Sequence, residues 1–217
     1  MEASFWHERW EKHEIGFHKN EVNPTLLKFQ SSLQVVPGKT VLVPLCGKSL
    51  DMKWLKEQGM SVVGVELSPL ACEEFFKDSH LPFEKLKKEG FDIYESDGIT
   101  LWCGDFFLLP ENLKFDSIYD RASNIALPPQ MRKAYYEKLQ RFLGPHTKLL
   151  LLTIEYDESL LPGPPFSVPE EEIRKAYSGF EITKLVDRTV DLENPRFAEA
   201  QAIVTEKVYQ IRLKSKL

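Results

Sequence analysis

The chain has 217 residues, 42% of them hydrophobic and 28% charged, with a formal net charge of −5. That size and balance predict one globular domain spanning 1–217, and the acidic surface offers no electrostatic footprint for nucleic acid. No apolar run approaches the roughly 20 residues of a membrane span, the start MEASFWHERWEKHE lacks the marks of a signal peptide, and the three scattered cysteines, Cys46, Cys72 and Cys103, point to a reducing, cytoplasmic setting without disulfides.

In chain order, residues 2–15 predict an amphipathic helix ending near Gly16, with Trp6, Trp10 and His13 at i, i+4 and i+7 on one face and Phe17 just beyond. Residues 23–36 predict a second helix, capped by Asn23 with Pro24 in its first turn. Val41–Val43 reads as a strand buried on both faces. The turn Pro44-Leu45-Cys46-Gly47 follows, then a helix capped by Ser49 that carries Leu50, Trp54 and Leu55, then Gly59 as its stop. A second strand, Ser61–Val65, ends at Glu66, and a crossover helix begins at Ser68 or Pro69. Residues 77–98 read as a charged surface connection with one short strand near Phe91–Tyr94. Strands are expected at Ile99–Cys103, Phe115–Tyr119 and Leu149–Ile154, and a helix from Pro128-Pro129 to Leu143. Pro162-Gly163-Pro164-Pro165-Phe166 is too rigid for helix or strand and predicts an ordered loop. A short helix at 169–177 and two long strands, 180–188 and 202–213, complete the chain, the strands forming an antiparallel pair at the sheet edge.

The stretch Thr40–Ser68 carries the chemistry. A strand-turn-helix-strand unit brings backbone amides at the helix start and an acid at the second strand end to one crevice, where the acid can accept from both hydroxyls of a ribose. Leu42 stands where a phosphate-binding loop needs its first glycine, and Gly47 alone falls short of the three glycines that press backbone against a pyrophosphate. The turn therefore suits a cofactor with a ribose and no phosphates. S-adenosylmethionine fits that description. Leu45, Gly47 and Glu66 are its candidate contacts. In methyltransferases of this architecture an acid after the next strand accepts from the adenine amino group while an apolar neighbour stacks on the ring, and Asp105-Phe106 stands in that place. The strand end Asp120-Arg121-Ala122-Ser123 lacks the Asn/Asp-Pro-Pro-Tyr motif of enzymes that methylate exocyclic amines. No spacing of histidines and cysteines predicts a metal site.

Pro44-Leu45-Cys46-Gly47-Lys48-Ser49, Met52-Lys53-Trp54 and Val62-Val63-Gly64-Val65-Glu66 together resemble the thiopurine S-methyltransferase family. The likeness runs from Trp6-x-x-x-Trp10 through Asp120-Arg121 and Pro162–Phe166 to Glu206-Lys207-Val208-Tyr209, and the short N-terminus resembles the bacterial members. The resemblance implies a Rossmann-like class I methyltransferase, α/β, with a seven-stranded mostly parallel sheet, an antiparallel edge hairpin and an N-terminal helical lid (1–36) on a core at 37–217. It implies methyl transfer from S-adenosylmethionine, leaving S-adenosylhomocysteine, to the sulfur of a small aromatic or heterocyclic thiol, with related selenium compounds left open. It further implies that Trp10 contacts the cofactor and that Trp6 and Phe17 help close the site. Arg121 is placed near cofactor and acceptor, and Arg196 roughly matches a second arginine near the acceptor. Both would act electrostatically, because a guanidinium keeps its proton. A binding domain without catalysis, and a methyltransferase for another small acceptor, remain as alternatives. No nucleic-acid or membrane partner is expected, and nothing demands more than a monomer.

Overall fold

The computed structural model describes residues 3–191 and 195–214. They group into two units, Met1–Ile118 and Tyr119–Leu217.

In the first unit α1 (Ala3–Glu11) is followed by α2 (Pro24–Lys28), α3 (Gln30–Leu33), β1 (Thr40–Val43), α4 (Leu50–Glu57), β2 (Ser61–Glu66), α5 (Pro69–Asp78), β3 (Glu84–Lys88), β4 (Phe91–Ser96) and β5 (Ile99–Cys103), with β6 (Ser117–Arg121) starting at its end. The strands lie in the order β3-β4-β5-β2-β1-β6. β5, β2, β1 and β6 run parallel, whereas β4 and then β3 fold back antiparallel. Leu42, Val62, Val65, Met52, Leu55, Phe75 and Phe76 are buried around this sheet.

Local chemistry explains most of the element ends. Asn23 caps α2 by accepting from the Thr25 amide at 2.8 Å, and Ser49 and Ser68 cap α4 and α5 in the same way at 3.3 Å. Gly59 ends α4 at φ +84°, where a Cβ would also press on Pro37 at 3.0 Å. The helix expected at 2–15 begins outside the described residues and stops at Glu11, because His13 takes the left-handed position (φ +52°) and the Glu14 amide closes on the carbonyl of Arg9. The helix expected at 23–36 is two short ones, broken at Phe29 (φ −110°) and stopped by left-handed Gln34.

The second unit holds α6 (Ser123–Ala126), α7 (Pro129–Gln140), β7 (Lys148–Glu155), α8 (Glu170–Ala176), β8 (Phe180–Val190), α9 (Pro195–Glu199) and β9 (Val204–Leu213). Its strand order is β6-β7-β9-β8, with β9 antiparallel to both neighbours. Leu149, Leu150 and Leu151 of β7 pack in its core with Val208 and Ile211 of β9. The described sheet strands thus number nine, correcting the expected seven. β4 answers to the short strand expected near Phe91–Tyr94; the strand not expected is β3, where Glu84–Lys88 is exposed at every residue and presents no apolar alternation to read.

Candidate functional site

Glu66 ends β2 only 7% exposed, and each of its oxygens is held. Oε2 accepts from the Gly47 amide at 2.9 Å, and Oε1 from the Ser68 amide at 2.8 Å. Burial raises its pKa, against the pull of these backbone amides and that of Leu67. A carboxylate oxygen accepts more than one hydrogen bond, so an anchored Glu66 keeps acceptor capacity for two further hydroxyls.

The turn beside it is built from two left-handed residues, Leu45 (φ +45°) and Gly47 (φ +52°). The Cys46 amide fastens the turn to β2 through the Val65 carbonyl at 2.9 Å. A Cβ on Gly47 would stand 3.3 Å from Cζ2 of Trp10, so α1 lies against the turn by its buried tryptophan. Trp10 and Trp6 each meet the Phe17 ring edge-on, at 5.6 and 5.8 Å. Trp6, Trp10, Phe17, Gly47 and Glu66 therefore form one continuous chain of contacts. Lys48, which follows the turn, spends its ammonium on Glu74 at 2.7 Å and Asp78 at 2.9 Å of α5. Burial opposes that charge, but the two acids outweigh it and raise the lysine's pKa.

Asp105 reaches the same sheet edge, two residues past the Glu66–Cys103 register pair. It is exposed, and its Oδ1 accepts from the Phe107 amide at 2.9 Å, capping a 3-10 turn at Phe106–Leu108. Phe106 is buried beneath that turn. The Cys46 thiol is held well above its ordinary range, first by burial and then by the Glu66 charge, and is no nucleophile at neutral pH. Among the described residues no group of three or more His, Cys, Asp or Glu could hold a metal ion, and no helix is long and apolar enough to cross a membrane.

Arg121 and Arg196 belong to the second unit. Arg121 ends β6, half-buried, directly after fully buried Asp120. The Asp120 carboxylate accepts from the Tyr135 hydroxyl at 2.8 Å and the Asn124 amide at 3.4 Å, and burial pushes its pKa up to about 6. Arg196 lies in α9, between the two long strands, and its guanidinium donates to the carbonyls of Pro162 at 2.9 Å and Pro164 at 3.2 Å. The expected loop Pro162–Phe166 is irregular as predicted, with cis peptide bonds at Gly163-Pro164 and Pro164-Pro165.

A sequence profile described as "Thiopurine S-methyltransferase (TPMT)" matches residues 1–214. The chain belongs to the thiopurine S-methyltransferase family. Relatives named thiopurine S-methyltransferase include one from Pseudomonas putida, 46% identical over 214 residues (97% of this chain, 99% of the relative), and one from Nitrosospira multiformis, 48% identical over 202 residues (92% of each). Solved structures of the same fold include a SAM-dependent methyltransferase from Anabaena variabilis (16% identity, TM-score 0.65, 98% of this chain and 95% of that one). Another is the 1,6-didemethyltoxoflavin-N1-methyltransferase of Burkholderia thailandensis with bound S-adenosylhomocysteine (17% identity, TM-score 0.65, 97% and 87%). At such identities they establish a class I methyltransferase fold.

Within this family frame, three residues of the second unit escaped the reading of the sequence. Tyr135 is an ordinary helical tyrosine in sequence, yet its hydroxyl holds Asp120. Tyr156 follows the most apolar strand, and its hydroxyl donates to the Pro165 carbonyl at 2.6 Å. Arg132 is nearly fully buried, donating to both oxygens of Glu172 at 2.7 and 2.8 Å. Of these only Tyr156, a polar-tipped aromatic just past a buried strand, carried any local signal.

Proposed function

We propose that the chain methylates the sulfur of small aromatic or heterocyclic thiols, thiopurines among them, with S-adenosylmethionine as donor. The observation that carries the donor half is Glu66, buried at a strand end and pinned by the Gly47 and Ser68 amides. A carboxylate whose orientation is set by two backbone amides accepts ribose hydroxyls with little ordering cost of its own. S-adenosylmethionine, when bound, supplies an electrophilic methyl group on a sulfonium. Gly47 lets backbone approach it, and Trp10, Trp6 and Phe17 offer aromatic faces suited to its cationic centre. Asp105 and Phe106 are assigned to its adenine end, and Leu45 to the turn that borders it.

The rest of the chain's work is placement, since an in-line displacement gains most from reactants held in line. Arg121 favours the anionic acceptor by charge, with Arg196 as the second arginine of the acceptor side. The acceptor thiol releases its proton to solvent and needs no protein base, because a thiolate is the reactive form and a fixed guanidinium favours it. We further propose that 1–217 acts as one catalytic domain, monomeric and cytoplasmic, without a metal.

The test is calorimetric titration with S-adenosylhomocysteine, followed by a transfer assay on a panel of thiols, a selenol, amines and phenols. Binding with transfer to sulfur is the expected result. Binding without transfer would reduce the chain to a cofactor-binding domain, and transfer to nitrogen or oxygen alone would overturn the acceptor assignment.

A further inference from the structure

The loop after β7 is anchored through its backbone. Arg196 Nη2 and Nη1 donate to the carbonyls of Pro162 and Pro164 at 2.9 and 3.2 Å, and the Tyr156 hydroxyl donates to that of Pro165 at 2.6 Å. The Phe166 amide donates to the Ile125 carbonyl at 2.7 Å, tying the loop to α6, a short way past Arg121. Within the loop the Phe166 ring lies against Gly163, where a Cβ would fall 2.4 Å from Cδ1. Pro162, Pro164 and Pro165 own no amide hydrogen, so this stretch has few donors with which to fasten itself. Its carbonyls must be met from elsewhere, and two side chains meet three of them.

Those two side chains form one device. Phe197, next to Arg196 on α9, meets the Tyr156 ring edge-on at 5.1 Å, and both rings sit in a buried cluster with Ile154, Leu161 and Val204. Burial and the Glu158 charge push the Tyr156 hydroxyl up to about 12, with Arg196 pulling the other way. At neutral pH it is a hydroxyl, and a donor.

We propose that Arg196 is a positioning residue for acceptor selection: its forked guanidinium, with the Tyr156 hydroxyl, fixes the backbone of Pro162–Phe166 as a wall against which acceptors are sorted by shape. The proposal rests on the functional reading above and moves Arg196 from charge to geometry. Ligands of open α/β sheets bind beyond the carboxyl ends of strands, and this loop leaves the carboxyl end of β7. A planar guanidinium holds two carbonyls at once, whereas an ammonium is a point charge on a flexible stem. Arg196→Lys therefore keeps the charge and loses the fork, and Tyr156→Phe keeps every charge and loses one anchor.

The experiment compares the full-length wild type, Arg196→Lys, Tyr156→Phe and the double variant on a monocyclic and a bicyclic aromatic thiol. It also records S-adenosylhomocysteine affinity, the pH profile of kcat/KM, thermal midpoints and hydrogen exchange at the Phe166 amide. Each single variant should raise the thiol KM by about tenfold, narrow the preference between the two thiols, quicken exchange at Phe166, and leave the pH profile and cofactor affinity in place. The double variant should lose less than the product of the singles, as residues gripping one loop do. Wild-type KM and thiol preference in Arg196→Lys would overturn the proposal and return Arg196 to a role of charge. So would a silent Tyr156→Phe, which removes only a hydroxyl and keeps the test open if the arginine variant does not fold. A wild type that binds S-adenosylhomocysteine yet methylates no thiol would instead overturn the functional reading, and this proposal with it.

Discussion

Asp120 offers the sharpest physical test of the second unit. It is fully buried, and its carboxyl is raised from 3.8 to about 6 by burial, against hydrogen bonds from Tyr135, Ser123 and Asn124. A carboxyl whose pKa is higher in the folded chain than in the unfolded one favours folding in its neutral form. Its contribution is therefore fully present below 3.8, shrinks as the pH climbs, and is gone above about 6. At 1.36 kcal/mol per pH step, the gap amounts to about 3 kcal/mol between pH 3.5 and pH 7.5. Asp120→Asn keeps the shape and removes the titration. The Tyr135 hydroxyl, now a donor to Oδ2 at 2.8 Å, can turn to accept from the new amide. At pH 7.5 the variant should match or exceed the wild type, with the relieved burial of charge offsetting about 1–2 kcal/mol of weakened hydrogen bonds. At pH 3.5, where the wild-type carboxyl is neutral, only the weakened bonds remain, and the variant should be the less stable protein. Urea unfolding at both pH values reads the difference of differences, expected near 3 kcal/mol. A difference below about 1 kcal/mol would refute the account of Asp120 as an acid held against its charge.

Three further outcomes follow from the geometry. Glu66→Gln sets an amide nitrogen against either the Gly47 or the Ser68 N–H, and should weaken S-adenosylhomocysteine binding by about 1–3 kcal/mol; an unchanged calorimetric Kd would remove Glu66 from the cofactor. Cys46→Ser should retain methyl transfer, since the thiol is buried and protonated, whereas loss of turnover with intact cofactor binding would make Cys46 a participant. Arg132→Met leaves Glu172 with the Tyr136 hydroxyl but strands the Ser167 carbonyl, and should cost about 1–3 kcal/mol in urea unfolding, an unchanged stability showing that the pair is dispensable.

Much of the first unit could be read locally. Val41–Val43 and Val62–Val65 are apolar runs punctuated by Gly47 and Gly59, and the structure places β1, α4 and β2 on them. Asn23, Ser49 and Ser68 announce their helices because a cap is a bond two or three residues long. The misses have a common cause. His13 and Gln34 end helices in a conformation usually given to glycine, which their residue types do not signal. The strand at Glu84–Lys88 has neither face buried. On the candidate site, the position of Glu66 at a strand end could be read locally, while its two amide anchors depend on the folded turn. The grip of Arg196 spans 32 and 34 residues of chain. Nothing within a local window encodes such a bond.

The exposed strand β3 has a bearing on how copies of this chain behave together. An outermost strand offers its free backbone as a template, and stacked strands of identical molecules are how fibrils grow. Here the template carries Lys85, Lys87 and Lys88 against a single acid, Glu84, with Lys85 and Lys87 both within 4 Å of Asp92. A second molecule docking along that edge in register would bring like charges face to face. The same lysines that hide the strand from a hydrophobicity scan thereby act as gatekeepers against polymerisation.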